Sequence, residues 1–250
     1  MRYFVAFSYV GKAYHGWQKQ PNAITVQHVL EEVFSKLLRQ PVSLVGAGRT
    51  DAGVHARQLF AHFDLTEDAL EADTIHRLNA FLPDDIAVHN IHKVADHAHA
   101  RFDALERTYE YWVVQKKDPF SMEAAHYVKQ ALDVALMNNA AELLMGYEDF
   151  ECFSKSNTDV KTFICKIKHA KWKKDQDKLV FTITADRFLR NMVRAIVGTL
   201  IEVGLGKMTL DELHQVVQSK DRSRAGVSVP AKGLYLTKVL YPKDFFKIHG

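Results

Sequence analysis

Gly46-Ala47-Gly48-Arg49-Thr50-Asp51-Ala52-Gly53-Val54-His55-Ala56 places three glycines within eight positions. Glycine lets the backbone adopt positive φ and approach a ligand closely. Apolar residues flank the stretch on both sides, so it predicts one strand near 42–46, a tight loop, and a second strand near 58–65. A plain connector is the alternative interpretation, but it would need only one glycine and no cluster of reactive side chains.

Two common phosphate-binding loops do not fit this stretch. The dinucleotide pattern G-x-G-x-x-G begins at Gly46 and Gly48, but Asp51 stands where its third glycine should be. The pattern G-x-x-x-x-G-K-[ST] fits from Gly48 to Gly53, but Val54-His55 replaces its lysine and hydroxyl. What remains is a loop that displays Asp51, with Arg49 two residues before it.

The hydrophobic pattern of the first half predicts an alternation of strands and helices. Alternating apolar residues predict a strand over 2–9, and apolar residues at helical spacing predict a helix over 25–38. A shorter helix is predicted over 72–81 and a strand over 86–94. With the strands around the glycine-rich loop, the order is β-α-β-β-α-β, which is the ferredoxin-like split unit.

The second half repeats this order. Its pattern predicts strands over 108–115, 163–172, 179–185 and 233–240, and helices over 133–145, 188–203 and 209–218. The sequence therefore predicts an α+β fold with two ferredoxin-like halves, residues 1–105 and 106–250, each with an antiparallel sheet. No Pro- or Gly-rich linker separates the halves, so the boundary rests on the repeat alone.

Composition limits the class of protein. The chain of 250 residues has a net charge of +3 and a pI near 8.7, less basic than a general nucleic-acid binder, so RNA binding would need a local patch. Two cysteines form neither a disulfide framework nor a zinc spacing, which predicts a reducing cytoplasm. We identify no signal peptide, and no apolar run approaches the length of a membrane span.

The segment Gly48 to His55 resembles the signature of the tRNA pseudouridine synthase A family, in which the aspartate is catalytic. The resemblance extends from the first strand to Leu240, and only the tail 242–250 matches nothing. It implies two α/β halves around a central cleft, and a cytoplasmic homodimer without metal or cofactor. The implied activity converts uridine to pseudouridine at positions 38, 39 and 40 in the anticodon stem-loop of tRNA.

Asp51 is the predicted catalytic residue. The isomerisation breaks the bond from the base nitrogen to C1′ and remakes it from C5, and a carboxylate can act as nucleophile or as a base on the sugar. Such a carboxylate must be ionised, which a positioned cation favours. The alternative interpretation is a turn-forming aspartate that hydrogen-bonds its own backbone.

Tyr109 lies in Arg107-Thr108-Tyr109-Glu110-Tyr111, which is similar to a family element whose first tyrosine stacks on the target base. An aromatic face can restore part of the stacking that a flipped base loses. Strand alternation places Tyr109 and Tyr111 on one face. Both tyrosines could equally be core residues with satisfied hydroxyl groups.

Arg187, Arg190 and Arg194 form a stripe on the long predicted helix, with the small residues Ala195 and Gly198 leaving room for another backbone. The segment 188–194 resembles a family element whose last arginine pairs with the catalytic aspartate. We therefore expect Arg194 to reach Asp51. A solvated charged face is the alternative interpretation of the stripe.

Arg49 is the competing partner of Asp51, and we expect it to face RNA phosphate or the flipped nucleotide instead. The closing segment 230–236 resembles a family element in which a leucine lines the uracil pocket. Leu234 is the candidate and Leu236 the alternative, and either could be simple core.

The 13 histidines do not predict a metal site. The pairs His89/His92 and His97/His99 lack a third and fourth ligand at a recognised spacing, and no H-E-x-x-H occurs.

Two other functions are alternatives to this interpretation. A non-catalytic RNA-binding protein lacks support because RNP-type aromatic motifs are absent. A hydrolase that uses Asp51 on a small molecule would need a second carboxylate or histidine base, and neither has a defined partner here.

Overall fold

A computed structural model describes residues 1–66, 70–156 and 160–246. These residues form nine strands and five α-helices, so the predicted mixed α/β character is confirmed. They divide into two compact units: residues 1–105 together with 236–250, and residues 106–235. No helix within the described ranges is long and apolar enough to cross a membrane.

The elements of the first unit follow in the predicted order. They are β1 (Arg2–Tyr9), α1 (Val26–Leu38), β2 (Val45–Gly46), β3 (His55–Asp64), α2 (Thr74–Phe81) and β4 (Ile86–Val94). The strand predicted over 42–46 is only two residues long, and β3 begins at His55 instead of near residue 58. Thr25 caps α1 by accepting a hydrogen bond from the backbone N–H of His28.

The elements of the second unit are β5 (Glu106–Val114), β6 (His126–Tyr127), α3 (Val134–Met145), β7 (Ile167–Asp175), β8 (Lys178–Ala185), α4 (Met192–Gly204) and α5 (Leu210–Ser219). The last strand, β9 (Leu234–Leu240), starts in this unit and continues in the first. The two-residue strand β6 was not predicted, and β7 begins at Ile167 rather than at residue 163.

The sheet of the first unit has the order β4-β1-β3, and each pair is antiparallel. Tyr3, Val5 and Phe7 alternate along β1 and are all buried, as the pattern predicts. The side chain of Phe34 on α1 packs edge-on against Phe63 on β3, with ring centroids 5.3 Å apart. The helix packing therefore buries this face of the sheet.

The opposite face of the same sheet is also buried, and the C-terminal tail covers it. Phe4 is completely inaccessible although alternation turns it away from Tyr3. The rings of Phe245 and Phe246 lie 5.1 Å and 6.1 Å from that of Phe4. Phe245 and Phe246 are thus part of an aromatic cluster with Phe4.

The sheet of the second unit has the order β5-β8-β7 with antiparallel pairs, and β6 runs parallel beside β5. Helix α3 packs over β7. The Asn138 side chain joins the two, because its amide accepts from the Trp172 backbone N–H (2.8 Å) and donates to the Trp172 carbonyl (3.2 Å). A capping box between Thr209 and Glu212 begins α5.

The start of α4 corrects one prediction. The helix begins at Met192, not at residue 188, so Arg187 and Arg190 precede it and only Arg194 lies on it. Asn191 adopts the left-handed conformation (φ 67°), which cannot continue a helix in the N-terminal direction. The predicted stripe of three arginines along one helix face is therefore wrong.

Candidate active site

The glycine-rich loop of the first unit rests on the loop that follows β1. A Cβ at Gly16, where φ is +87°, would lie 2.3 Å from the Thr50 carbonyl oxygen. A Cβ at Gly11 would lie 2.0 Å from the Val54 carbonyl oxygen. The two backbones approach this closely because neither glycine carries a side chain.

Hydrogen bonds fix the two loops to each other. The backbone N–H of Trp17 donates to the Thr50 carbonyl (3.3 Å), and the backbone N–H of Gly53 donates to the Tyr14 carbonyl (3.2 Å). These bonds bracket Asp51 on both sides, so its backbone position is set by residues 14–17.

Side chains anchor the ends of the same loop. The hydroxyl groups of Tyr9 and Thr50 share a hydrogen bond of 2.8 Å. His55 is buried, and its Nδ1 accepts from the backbone N–H of Gly11 at 3.0 Å. Sequence reasoning gave neither Thr50 nor His55 a role; the structure makes both of them supports of the loop.

Asp51 lies in the turn that these supports create. The Val54 backbone N–H donates to the Asp51 carbonyl (3.2 Å), which closes a turn of the backbone over residues 51–54. The residue is half-buried, whereas Arg49 is exposed. Asp51 is therefore more shielded from solvent than Arg49.

Trp17 packs against the start of the glycine-rich loop, at Gly46. A Cβ at Gly46 would lie 2.5 Å from the indole Nε1 of Trp17, and the Trp17 ring stacks on Phe7 with centroids 5.1 Å apart. Gly46 is thus required by close packing, whereas a Cβ at Gly48 would meet nothing within 4 Å.

In the second unit the two tyrosines of β5 have different surroundings. Tyr111 is fully buried, donates its hydroxyl hydrogen to the Pro230 carbonyl (2.9 Å), and is a core residue. Tyr109 is only half-buried, and its ring meets Phe188 edge to face at 5.2 Å. Of the two, Tyr109 has the ring that a ligand can reach.

Arg194 is held by the segment that follows α5. Its Nε–H donates to the Val229 carbonyl at 2.7 Å, and the Val229 backbone N–H donates to the Arg194 carbonyl at 3.2 Å. Burial raises the pKa of Tyr111, and the charge of Arg194 opposes that rise. Arg194 and Tyr111 therefore lie in the same part of the second unit.

Gly198 allows α4 to approach the segment 226–229 closely. A Cβ at position 198 would lie 1.9 Å from the Val227 carbonyl oxygen. The Gly226 backbone N–H donates to the hydroxyl of Thr199 (2.9 Å) beside it. The prediction that Gly198 leaves room for another backbone is confirmed.

The two candidate leucines and the two cysteines are all buried. Leu234 and Leu236 are 5% and 2% exposed, so burial does not distinguish them. Both cysteines are free and buried, and burial raises the pKa of Cys152 to about 12 and that of Cys165 to about 11. The described ranges contain no group of three or more His, Cys, Asp or Glu residues arranged to hold a metal ion.

Comparison with known proteins places the chain in a family. Residues 5–103 and 140–242 match the family model described as tRNA pseudouridine synthase. The chain therefore belongs to the tRNA pseudouridine synthase family.

Curated relatives agree along nearly the whole chain. A protein of Parabacteroides distasonis named tRNA pseudouridine synthase A is 52% identical over 248 residues, covering 99% of this chain and 98% of its own. The protein of that name from Porphyromonas gingivalis is 52% identical over 249 residues, covering 98% and 99%. One from a Thermoanaerobacter species is 40% identical over 240 residues, covering 95% and 98%.

Proposed function

We propose that this chain is an isomerase that converts uridine to pseudouridine at positions 38, 39 and 40 in the anticodon stem-loop of tRNA. The observation that carries the proposal is the loop around Asp51, which hydrogen bonds hold on both sides and whose sequence resembles the family signature. Membership of the tRNA pseudouridine synthase family supports the reaction and the substrate class.

Asp51 is the proposed catalytic group, acting as nucleophile or as base on the sugar. The glycosidic bond from N1 to C1′ breaks, a bond from C5 to C1′ forms, C5 loses its hydrogen as a proton, and N1 gains one. The reaction therefore balances without an oxidant or a co-reactant. Support comes from the hydrogen bonds at Thr50 and Gly53, which hold the backbone on both sides of the carboxylate.

Tyr109 is the proposed stacking partner of the flipped base. Its half-buried ring supports this role, since the edge-on contact with Phe188 holds the ring while leaving part of it accessible. A base that has left its stack gains about 1–3 kcal/mol from such an aromatic face.

Arg194 is the proposed partner of Asp51. The Val229 carbonyl accepts a hydrogen bond from the Nε–H of Arg194. This bond orients the end of the guanidinium that carries the two Nη atoms. That end matches a carboxylate with two parallel hydrogen bonds. Arg49, which is exposed on the loop itself, is proposed to bind a phosphate or the flipped nucleotide.

The two arginines give different kinetic expectations. Arg194→Ala should lower kcat, because the charge partner of the reacting carboxylate is lost. Arg49→Ala should mainly raise KM, because a phosphate contact is lost. The reverse outcome, a kcat effect confined to Arg49→Ala, would make Arg49 the partner of Asp51.

The finer architecture is also a proposal. Residues 1–105 and 106–250 would be two ferredoxin-like halves around a central cleft, the first carrying the Asp51 loop and the second carrying Tyr109 and Arg194. The element order β1-α1-β2-β3-α2-β4 supports this description of the first half. Leu234, with Leu236 as the alternative, would line the uracil pocket.

We further propose that the enzyme is a cytoplasmic homodimer that uses no metal and no organic cofactor. Light scattering combined with an activity assay tests the dimer: a fully active monomer would refute it. Activity that EDTA abolishes and zinc restores would refute the metal-free reaction.

Release of tritium from tRNA labelled at C5 of uridine tests the reaction itself. Wild-type protein should release tritium, and Asp51→Asn should bind tRNA with similar affinity but release none. Glu71→Gln, a carboxylate removed from an exposed salt bridge with Arg77 in the same unit, is the matched control and should keep full activity. Turnover of Asp51→Asn above about one hundredth of wild type would refute Asp51 as the catalytic group.

A further inference from the structure

Phe120 stands out among the apolar side chains of the second unit, because it is 96% exposed. It lies on the loop between β5 and β6, in the stretch 104–139 that the family model does not match. Within the described part of the chain no other ring or cation lies against it, in contrast to the exposed Phe102, which has His99 beside it. A partner that covers this ring would remove its apolar surface from water, which is favourable.

The backbone under Phe120 is rigidly organised. Asp118, Pro119, Phe120 and Ser121 form a β-turn, in which the Ser121 N–H donates to the Asp118 carbonyl (3.1 Å). The Asp118 carboxylate also accepts from the Phe120 N–H (3.1 Å) and the Ser121 hydroxyl (2.5 Å). Proline after aspartate is the preferred start of such a turn. The ring is therefore held out on a fixed backbone.

Two further contacts tie the loop to the body of the unit. The Lys232 ammonium donates to the Met122 carbonyl, and the Tyr235 hydroxyl donates to the Ala124 carbonyl, both at 2.6 Å. The Val128 N–H closes the base of the loop on the Val114 carbonyl (3.0 Å). Little conformational entropy is left to lose when the ring meets a partner, which favours binding.

The charges around the ring indicate the class of partner. Lys116 and Lys117 precede it and are exposed, while the carboxylate of Asp118 is engaged in the turn. Glu123 is the other acid of the loop. Lysine is depleted in the centres of protein interfaces, whereas an aromatic ring beside cations is the usual arrangement for holding single-stranded nucleic acid.

We propose that Phe120 stacks on an unpaired base of the bound tRNA while Lys116 and Lys117 contact the adjoining phosphates. Tyr109 lies within β5 and Phe120 on the loop that follows it, so the two rings are separate contacts for tRNA. This inference rests on the proposed function, because it needs tRNA as the substrate.

The test measures the Kd of unmodified tRNA and the kinetics of tritium release for three substitutions. Phe120→Ala should raise Kd and KM at least about fivefold and leave kcat unchanged. Phe120→Trp should restore the affinity, and its added tryptophan fluorescence should be quenched by tRNA. Phe120→Leu keeps an apolar side chain without a ring, so it should resemble Phe120→Ala.

A pair of double variants tests the two lysines. Lys116→Ala/Lys117→Ala should reduce the slope of log Kd against log salt by about 1.4, which corresponds to two phosphate contacts on a single strand. Lys173→Ala/Lys174→Ala is the matched control, because these neighbouring lysines are also exposed but lie on β7. The control should leave the slope unchanged, and equal effects of the two pairs would refute a local site.

The other outcomes separate this inference from the proposed function. If wild-type protein does not bind tRNA at all, the proposed function fails. If it binds and isomerises tRNA but Phe120→Ala has wild-type Kd, only the stacking contact is refuted. If Phe120→Leu restores affinity as well as Phe120→Trp, or if Phe120→Ala changes the oligomeric state, the ring packs on protein and not on a base.

Discussion

Gly198→Ala tests how α4 positions Arg194, the arginine proposed to pair with Asp51. The new Cβ would lie 1.9 Å from the Val227 carbonyl oxygen and 2.9 Å from its carbonyl carbon. Ordinary contacts of this kind are above about 3.4 Å, so the two segments must separate by more than an ångström. Both groups belong to backbone, and no side chain can rotate away to relieve the clash.

The separation should break the hydrogen bonds beside it. These are the bond from the Gly226 N–H to the Thr199 hydroxyl and the pair between Arg194 and Val229. Leaving one buried donor or acceptor unsatisfied costs about 1–3 kcal/mol, and overpacking adds about 1–3 kcal/mol. The better helix propensity of alanine returns about 1 kcal/mol. We expect the free energy of unfolding to fall by about 1–5 kcal/mol.

Urea unfolding followed by circular dichroism measures this loss. The matched control is Gly146→Ala at the C-cap of α3, where φ is −80° and the nearest atom to a new Cβ is 3.4 Å away. The control should change the free energy of unfolding by less than about 0.5 kcal/mol. Gly198→Ala should also lower kcat more than it raises KM, because Arg194 loses the carbonyl that orients it.

One result would refute the reasoning about Gly198. If Gly198→Ala is as stable as wild type, or more stable through helix propensity alone, then α4 and the segment 226–229 are not in contact at this position. The hydrogen bond of Arg194 with Val229 would then be too weak to define the arginine's orientation.

Three further predictions concern single side chains. Tyr109→Phe should keep tRNA binding nearly intact because the stacking face remains, while Tyr109→Ala should lose at least about fivefold in Kd; equal and small effects would make Tyr109 a core residue. Arg194→Lys keeps the charge but not the planar fork, so kcat should fall almost as far as in Arg194→Ala; near-complete rescue by lysine would show that charge alone matters. Burial lowers the pKa of His62 to about 4, below the ordinary 6.5 of an unfolded chain. Because the unfolded state then binds a proton that the folded state does not, the free energy of unfolding should fall by up to about 3 kcal/mol as the pH drops from 6.5 to 4. His62→Gln should flatten this pH dependence in urea titrations.

Elements with strong local signals were predictable from the sequence. Helix α1 has both an apolar stripe and Thr25 as its cap, and α5 has the capping box of Thr209 and Glu212, so their starts were found within one residue. Strand β4 was predicted with its observed bounds, since Pro83 and the alternation that follows define it. In these cases the physical cause of each boundary lies within a few residues of it.

The C-terminal tail could not be predicted, because its partners lie far away in sequence. Phe245 and Phe246 pack on Phe4 and Phe60, and nothing local in the segment 242–246 indicates which face of which sheet they cover. Two adjacent phenylalanines near a chain end are consistent with packing or with exposure. Only the three-dimensional arrangement of β1 and β3 decides between these.

The arginines show the same limit at the candidate site. Apolar residues continue upstream of α4 through Phe188 and Leu189, so a helical period extends the helix over all three arginines. Phe188 instead packs against the ring of Tyr109 in a T-shaped contact. Helix α4 begins only after Asn191, because the left-handed conformation of that residue cannot extend the helix toward Phe188. What distinguishes Arg194 is a backbone carbonyl, that of Val229, which accepts its Nε–H. Carbonyl groups are the same in every residue, so no sequence pattern could have identified this one. Family resemblance, unlike helical periodicity, carries the result of such backbone contacts, so the choice of Arg194 as the proposed partner of Asp51 rests on that resemblance.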